Sequence, residues 1–249
     1  MKISIITVSY NSAVTIRDTL ESVKNQTYTN IEHIIIDGAS KDNTLAIVTE
    51  YPHVAKVISE KDKGIYDAMN KGITLATGEI IGILNSDDLF ESDTIIEQIM
   101  NVFQENKEID AIYGNISYFE TGEENKIKRY WKSKPYYEDF FDDGEVPPHP
   151  SLFVKKQVYD QIGTYYPNFK ICSDYEFMLR MMKIHNFKTK YLDATIAKMR
   201  LGGTSTQGLK SYWITTKELK QAWEMNNFKY PIKLYFIRPF KKIKQLLIK

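Results

Sequence analysis

The chain has 249 residues, 43% of them hydrophobic, with 33 Lys and Arg against 32 Asp and Glu. That apolar content fills a real core and excludes a disordered chain, and the near balance of charge argues against a nucleic-acid binder, which carries a marked basic excess. The single cysteine, Cys172, excludes an internal disulfide and a cysteine-rich zinc site.

Met1-Lys2-Ile3 runs straight into a strand pattern, so no signal peptide is expected, and no apolar run reaches the length of a membrane-spanning helix. Ile3–Val8 is a continuous apolar strand. Ser12 can cap a helix to about Lys24, with Val14, Leu20 and Val23 as its apolar stripe. Ile31–Ile36 is a second strand, whose unbroken isoleucines suggest burial on both faces. Asp42 opens a helix through Thr49, Val54–Ser59 is a third strand, and Gly64 precedes a helix from Ile65 to Ala76. Ile80–Leu84 and Ser92–Phe103 complete a fourth strand–helix unit. This alternation predicts right-handed crossovers and a parallel sheet.

After Asp110 the pattern changes. Ala111–Phe119 is strand-like, with Gly122 in a turn and Lys126–Trp131 as a hairpin partner. Residues 133–150 are irregular. Ser151–Val154 is a short strand, Lys155–Ile162 and Ser173–Ile184 are helices, Lys188–Lys198 is a strand, and a last helix covers Leu209–Asn226. The expected organisation is one domain over 1–226, with a nucleotide-binding front half (1–110) and an acceptor-binding back half (111–226), followed by a basic tail (227–249).

Residues 79–88, Glu-Ile-Ile-Gly-Ile-Leu-Asn-Ser-Asp-Asp, are the most informative segment. An apolar strand ends in adjacent carboxylates, Asp87 and Asp88, at the sheet edge where open α/β folds bind ligands. Adjacent acids repel unless a cation or hydroxyl donor shares them, and Mg²⁺ or Mn²⁺ carrying a diphosphate supplies both. The alternative is an aspartate that caps the next helix. Three other strand ends point to the same crevice. Thr7-Val8-Ser9-Tyr10-Asn11 offers a ring for stacking on a base and hydrogen bonds from Thr7 and Asn11, or else a capped turn. Asp37-Gly38-Ala39-Ser40 offers an acceptor for a ribose hydroxyl or base imide, or else a solvated turn. Asp62 can meet a base edge, and Lys71 is either a phosphate contact or an ordinary helix lysine.

In the back half, Ser173-Asp174-Tyr175-Glu176 opens a helix whose Phe177, Met178, Met181 and Met182 should face the core. Asp174 there is either a general base for a sugar hydroxyl or a helix cap. His149, in Pro147-Pro148-His149-Pro150, is an acceptor or diphosphate contact or a structural histidine. Arg200 opens Arg200-Leu201-Gly202-Gly203-Thr204-Ser205, a lid reaching the diphosphate or a plain loop. No Gly-x-Gly-x-x-Gly follows a strand, no phosphate loop of the Gly-x-x-x-x-Gly-Lys-Ser/Thr type is present, and the four histidines lack metal-ligand spacing.

Taken together, these segments resemble the inverting glycosyltransferases of family 2. The resemblance covers about residues 3–205. Thr7-Val8-Ser9-Tyr10-Asn11 is similar to the family's opening strand, and Asp37-Gly38-Ala39-Ser40-Lys41-Asp42-Asn43-Thr44 to its Asp-Gly-Ser-x-Asp-x-Thr element. Asp62 to Gly72 resembles a version common in bacterial polysaccharide enzymes, Asn85-Ser86-Asp87-Asp88 the metal-binding DxD-type motif, and Ser173–Glu176 the segment with the general base. The family often has aspartate where Asn85 stands. The resemblance implies a GT-A type fold with a mostly parallel sheet and a nucleotide-sugar donor, UDP-linked. Thr7, Val8, Tyr10, Asn11, Asp37, Asp62, Lys71, Ser86 and Asp87 would lie about the nucleotide, Asp87 would also lie near Mn²⁺ or Mg²⁺, Asp88 would bind that ion, and Asp174 would be the base. The implied acceptor is a glycan or polyprenyl-diphosphate-linked oligosaccharide at the cytoplasmic face of the plasma membrane. A nucleotidyltransferase and a catalytically degenerate binding subunit are the competing readings, and the first lacks its usual Gly-rich basic loop.

From Asn226 to Lys249 there is no acid, and seven Lys and Arg alternate with apolar residues. Such a segment lies on an anionic membrane surface, or packs on the domain with its lysines in water.

Overall fold

The computed structural model describes residues 1–202 and 208–237. One mixed sheet of nine strands runs through both halves of the chain. Its front is parallel: β3 (Val54–Ser59), β2 (Ile31–Asp37), β1 (Ile3–Ser9) and β4 (Ile80–Ile83) lie side by side in that order. Next to β4 the antiparallel β8 (Phe153–Lys155) leads to β6 (Ala111–Phe119), β9 (Thr189–Arg200) and β5 (Leu89–Phe90). β6 also takes the short β7 (Arg129–Trp131) as hairpin partner.

Every residue of β1 is buried, which explains its unbroken apolar run. Alternate side chains serve two cores. Ile3 and Ile5 pack with Ile96, Ile99, Met100 and Phe103 of α4 (Ile95–Glu105), and Ile6 and Val8 with Tyr66, Met69 and Ile73 of α3 (Ile65–Leu75). A third cluster joins Ile16 and Leu20 of α1 (Ile16–Lys24) to Val48 of α2 (Thr44–Thr49) and Ile35 of β2. In the back half, α5 (Lys156–Ile162) precedes α6 (Ser173–Leu179), which continues as one π-helical turn, Arg180–Ile184. Phe177, Met178, Met181 and Met182 are buried, as their spacing predicts. The last helix, α7 (Gly208–Met225), packs against α6.

Three expectations shift. α1 begins at Ile16 rather than beside Ser12, because the Ser12 carbonyl closes a turn onto the N–H groups of Thr15 and Ile16. α4 likewise begins at Ile95, three residues past Ser92. The two-residue β5 has no counterpart in the sequence reading, since it exists only by pairing with β9.

Candidate active site

The parallel strands β1, β2, β3 and β4 all end on one edge, and the loops beyond them are cross-linked into a single rim. Asn11 sits at φ 50°. Its N–H donates to Ser40 Oγ (2.8 Å), and its Oδ1 accepts from the Lys41 N–H (2.9 Å). Asp42 accepts from the N–H groups of Ala13 and Thr44, both at 3.0 Å. Ser12 and Ser86 share a hydroxyl bond of 2.8 Å, which ties the β1 loop to the β4 loop.

Over this rim Tyr10 is 62% exposed. Beneath it lies Gly38, where an added Cβ would stand 2.5 Å from Asp62 Oδ2 and 3.3 Å from Tyr10 Cδ2. A ring, a carboxylate and a side-chain-free backbone therefore meet at one point, too close to admit a side chain at position 38. Asp62 Oδ1 is held by the Gly64 N–H at 2.9 Å. Gly64 takes φ 121°, a conformation that other residues rarely adopt.

The other expected nucleoside ligands are less open. Asp37 is fully buried and accepts from the hydroxyls of Ser9 (3.2 Å), Ser59 (2.7 Å) and Ser40, as well as from the Ser40 N–H (2.9 Å). Four donors occupy a carboxylate's acceptor capacity. Asp37 thus fixes the loops around Gly38 instead of offering a vacant oxygen. Thr7 is fully buried with its hydroxyl bonded to His33 Nε2 (3.0 Å), and Val8 is buried in the core. The Lys71 ammonium is held by Glu60 (2.8 Å) and Asp67 (3.4 Å), so the expected phosphate contact is already neutralised by two carboxylates.

At the end of β4 the two acids differ. Asp88 is 1% exposed, and its carboxylate accepts from the Arg200 N–H and Asn85 Nδ2, each at 3.3 Å. Burial, and then the charge of Asp87, push its pKa well above the ordinary aspartate value. Asp87 is half-buried, and burial raises it too, against the opposing charge of Arg200. Beside them Asn85 Oδ1 is buried without a hydrogen-bond partner. Two acids pressed toward protonation next to an orphaned amide oxygen form a hard-oxygen donor set that suits Mg²⁺ or Mn²⁺. The sequence places both Asp88 and Asp87 at the metal, and of the two Asp87 has access to solvent. Among the described residues no three His, Cys, Asp or Glu side chains cluster as an ion site.

Arg200 does not reach into the cleft. Its side chain is 6% exposed, pairs with Asp18 (2.8 Å) and Glu124 (3.5 Å), lies 4.7 Å over the Phe119 ring and donates from Nε to the Asp87 carbonyl (3.3 Å). The expected diphosphate contact is instead a clamp on the Asp87–Asp88 turn. Gly203, Thr204 and Ser205 of the expected lid lie outside the described residues.

The opposite wall comes from the back half. Asp174, on the first turn of α6, is half-buried. Its Oδ1 accepts from the Tyr175 N–H (2.8 Å) and lies 3.0 Å from the Tyr66 hydroxyl, which the Ile171 carbonyl also engages. Among the described residues Oδ2 has no hydrogen-bond partner. Burial, reinforced by Asp174, raises the Tyr66 phenol well above its ordinary value, so it stays a donor. The loop before Asp174 is fixed by Glu218 of α7, which accepts from the N–H groups of Lys170, Ile171 and Cys172 at 2.7, 2.9 and 3.0 Å. Because Tyr66 opens α3, directly after the β3 end that carries Asp62, it joins the two walls. Tyr66 and Glu218 escape a reading of the sequence, since nothing local marks the contacts they make across the fold. His149 Nε2 bonds to the Tyr165 hydroxyl (3.0 Å), and burial lowers its pKa. The neutral ring lacks the charge that a diphosphate contact would use.

An exposed ring beside a carboxylate, a paired-carboxylate turn and a lone half-buried acid face one another at the carboxyl edge of a parallel sheet, the edge at which α/β enzymes bind their substrates. The chain belongs to glycosyltransferase family 2, whose model, described as "Glycosyl transferase family 2", matches residues 4–173. It is 33% identical over 181 residues to an uncharacterized glycosyltransferase of Mycobacterium tuberculosis, covering 72% of this chain and 68% of the relative. It is 27% identical over 212 residues to a PGL/p-HBAD biosynthesis glycosyltransferase of Mycobacterium bovis, covering 81% and 78%. Among solved structures, residues 1–349 of S. aureus TarS with UDP-GlcNAc match at a TM-score of 0.67 and 17% identity, covering 90% of this chain and 66% of that one. The chain spans 37% of the longer TarS structure. The mannosyltransferase PcManGT from Pyrobaculum calidifontis, with GDP-Man and Mn²⁺, matches at 0.66 and 16% identity, covering 96% and 68%. The fold is of the GT-A type.

Proposed function

We propose that this glycosyltransferase inverts configuration while moving a sugar from a nucleotide-diphospho-sugar, UDP-linked, to a hydroxyl of a glycan or polyprenyl-diphosphate-linked acceptor in cell-surface polysaccharide synthesis. The observation that carries the reading is the meeting of Tyr10 and Asp62 over Gly38, on the same edge as Asp87 and joined through Tyr66 to Asp174. Tyr10 stacks on the base, and the open oxygen of Asp62 accepts from the uracil imide. Asn11, Asp37 and Ser86 hold the loops that shape this pocket. The complexes of TarS with UDP-GlcNAc and of PcManGT with GDP-Man support a nucleotide-sugar donor.

Asp87 would hold Mn²⁺ or Mg²⁺, with Asn85 and Asp88 completing its oxygen-rich surroundings; the Mn²⁺ of PcManGT supports this. A divalent ion there supplies positive charge against a diphosphate. Asp174 Oδ2 takes the proton from the acceptor hydroxyl. That oxygen attacks the anomeric carbon from the face opposite the nucleotide, and the bond from this carbon to the diphosphate oxygen breaks. One displacement inverts the centre, and no enzyme nucleophile takes part. General-base help of this kind contributes about 10²–10⁴-fold. Asp174→Asn should therefore lower transfer by at least about 10²-fold while calorimetry finds nucleotide affinity unchanged. Turnover retained in that variant removes Asp174 from the role. No helix of the described residues is long and apolar enough to cross a membrane.

A further inference from the structure

We infer that residues 228–237 form a docking surface for an anionic lipid bilayer, set beside the acceptor half. After α7 the chain turns at Asn227 (φ 63°), and the Phe228 N–H returns to the Trp223 carbonyl at 3.0 Å. Tyr230 packs edge-on to Trp223, with ring centroids 6.4 Å apart, and Tyr235 packs on Tyr230 at 5.1 Å. A single helical turn then follows, closed by the Phe236 and Ile237 N–H groups on the Lys233 carbonyl. Leu234 fastens this turn, being 1% exposed in the same cluster as Trp223 and Leu219. Burying Leu234 turns its neighbours outward. Ile232 is 75% exposed, Phe236 67%, Phe228 41% and Tyr235 40%. Four large apolar side chains displayed within nine residues of a fixed segment form a patch that water does not favour.

Charge selects the occupant. Lys229 is exposed within the patch, Lys233 is taken up by Asp143, and beyond Ile237 the sequence carries five more Lys and Arg and no acid. A second copy of the chain would bring like charges together, whereas an anionic lipid surface attracts them and accepts the apolar side chains between its headgroups. The patch is held against the acceptor half: Lys233 pairs with Asp143 (2.7 Å), six residues before His149, and Trp223 Nε1 donates to the Tyr175 hydroxyl (2.8 Å), next to Asp174. The consequence that the acceptor is carried by lipid rests on the proposed function; the docking itself does not.

The test is sedimentation of the full chain with vesicles of phosphatidylcholine alone or with about one-third phosphatidylglycerol. Binding is expected to the anionic vesicles only, falling as salt is raised. Ile232→Ser with Phe236→Ser should weaken it about tenfold or more, and Lys229→Glu several-fold. Failure of the wild-type chain to sediment with anionic vesicles overturns the inference, and so does unaltered binding by the double variant. A concentration-dependent dimer that the double variant abolishes reassigns the patch to a second copy and also overturns it. If the double variant loses its cooperative melt, Lys229→Glu decides alone. Vesicle binding by a chain that binds no nucleotide sugar would retain the docking and remove the proposed activity.

Discussion

Asp88→Asn should stabilise the ligand-free protein. In the native chain a carboxylate that is 1% exposed is served by two long hydrogen bonds, at 3.3 Å each, beside a second acid and a buried Asn85 Oδ1 that has no donor. The amide has the same shape. Its oxygen keeps the Arg200 N–H, and whichever way its amide faces it keeps one hydrogen bond with the Asn85 amide, in place of the one the carboxylate accepts from Asn85 Nδ2. The number of hydrogen bonds is unchanged, and removal of a charge from a poorly solvated position contributes about 1–3 kcal/mol. A gain of about 1–3 kcal/mol raises the melting temperature of a chain this size by roughly 2–4 °C per kcal/mol. The pH dependence gives the stricter check. Because the folded-state pKa of Asp88 lies above the unfolded value, the native chain loses stability as pH climbs from the ordinary aspartate value of 3.8 through the raised one. The variant lacks that titration. Melting curves taken from pH 4 to 8 without metal should coincide at the acid end and separate steadily as pH rises. A variant less stable than the native chain at pH 7, or a gap that does not change with pH, would show that Asp88 is already well solvated or paired, and the account of the carboxylate turn would be wrong.

Tyr66→Phe removes the hydroxyl 3.0 Å from Asp174 Oδ1. Its single hydrogen is shared with the Ile171 carbonyl, so the contact counts as an ordinary hydrogen bond of about 0.5–1.5 kcal/mol, and kcat should fall roughly 2–10-fold with nucleotide affinity intact. Unchanged single-turnover rates would separate Tyr66 from the base. Gly38→Ala places a methyl 2.5 Å from Asp62 Oδ2 and 3.3 Å from the Tyr10 ring. It should weaken UDP binding by about tenfold in calorimetry while shifting the melting temperature little; unaltered affinity would put the base elsewhere.

Much of the front half is legible because burial writes it plainly. β1, β2 and β4 are covered on both faces, so they appear as unbroken apolar runs, and Val54–Ser59 is bounded as its sequence suggests. Two helices, α1 and α4, begin later than the cap residues Ser12 and Ser92 suggest. Ser12 and Ser92 have the side chains of caps, yet Ser12 shares its hydroxyl with Ser86 of the β4 loop and Ser92 with the Thr94 hydroxyl. β5 has no local signal, being a product of β9 alone.

The site is harder to read, because what an acid does depends on how many donors other segments aim at it. Asp37, Asp62, Asp87, Asp88 and Asp174 look alike along the chain. Asp37 is filled by serines from three separate strand ends. Asp88 is sealed by the backbone of Arg200, which arrives from β9, while Asp62 and Asp174 each keep one oxygen clear of the bonds that fix the other. The buried acids hold the loops, and the half-buried Asp62 and Asp174 keep an oxygen unengaged. Arg200 follows the same logic: a guanidinium that binds Asp18, Glu124 and the Asp87 carbonyl cannot also attend a diphosphate, but by fixing that turn it sets where the Asp87 carboxylate stands. The division of labour among like residues is therefore a property of the assembled sheet edge, and no single motif contains it.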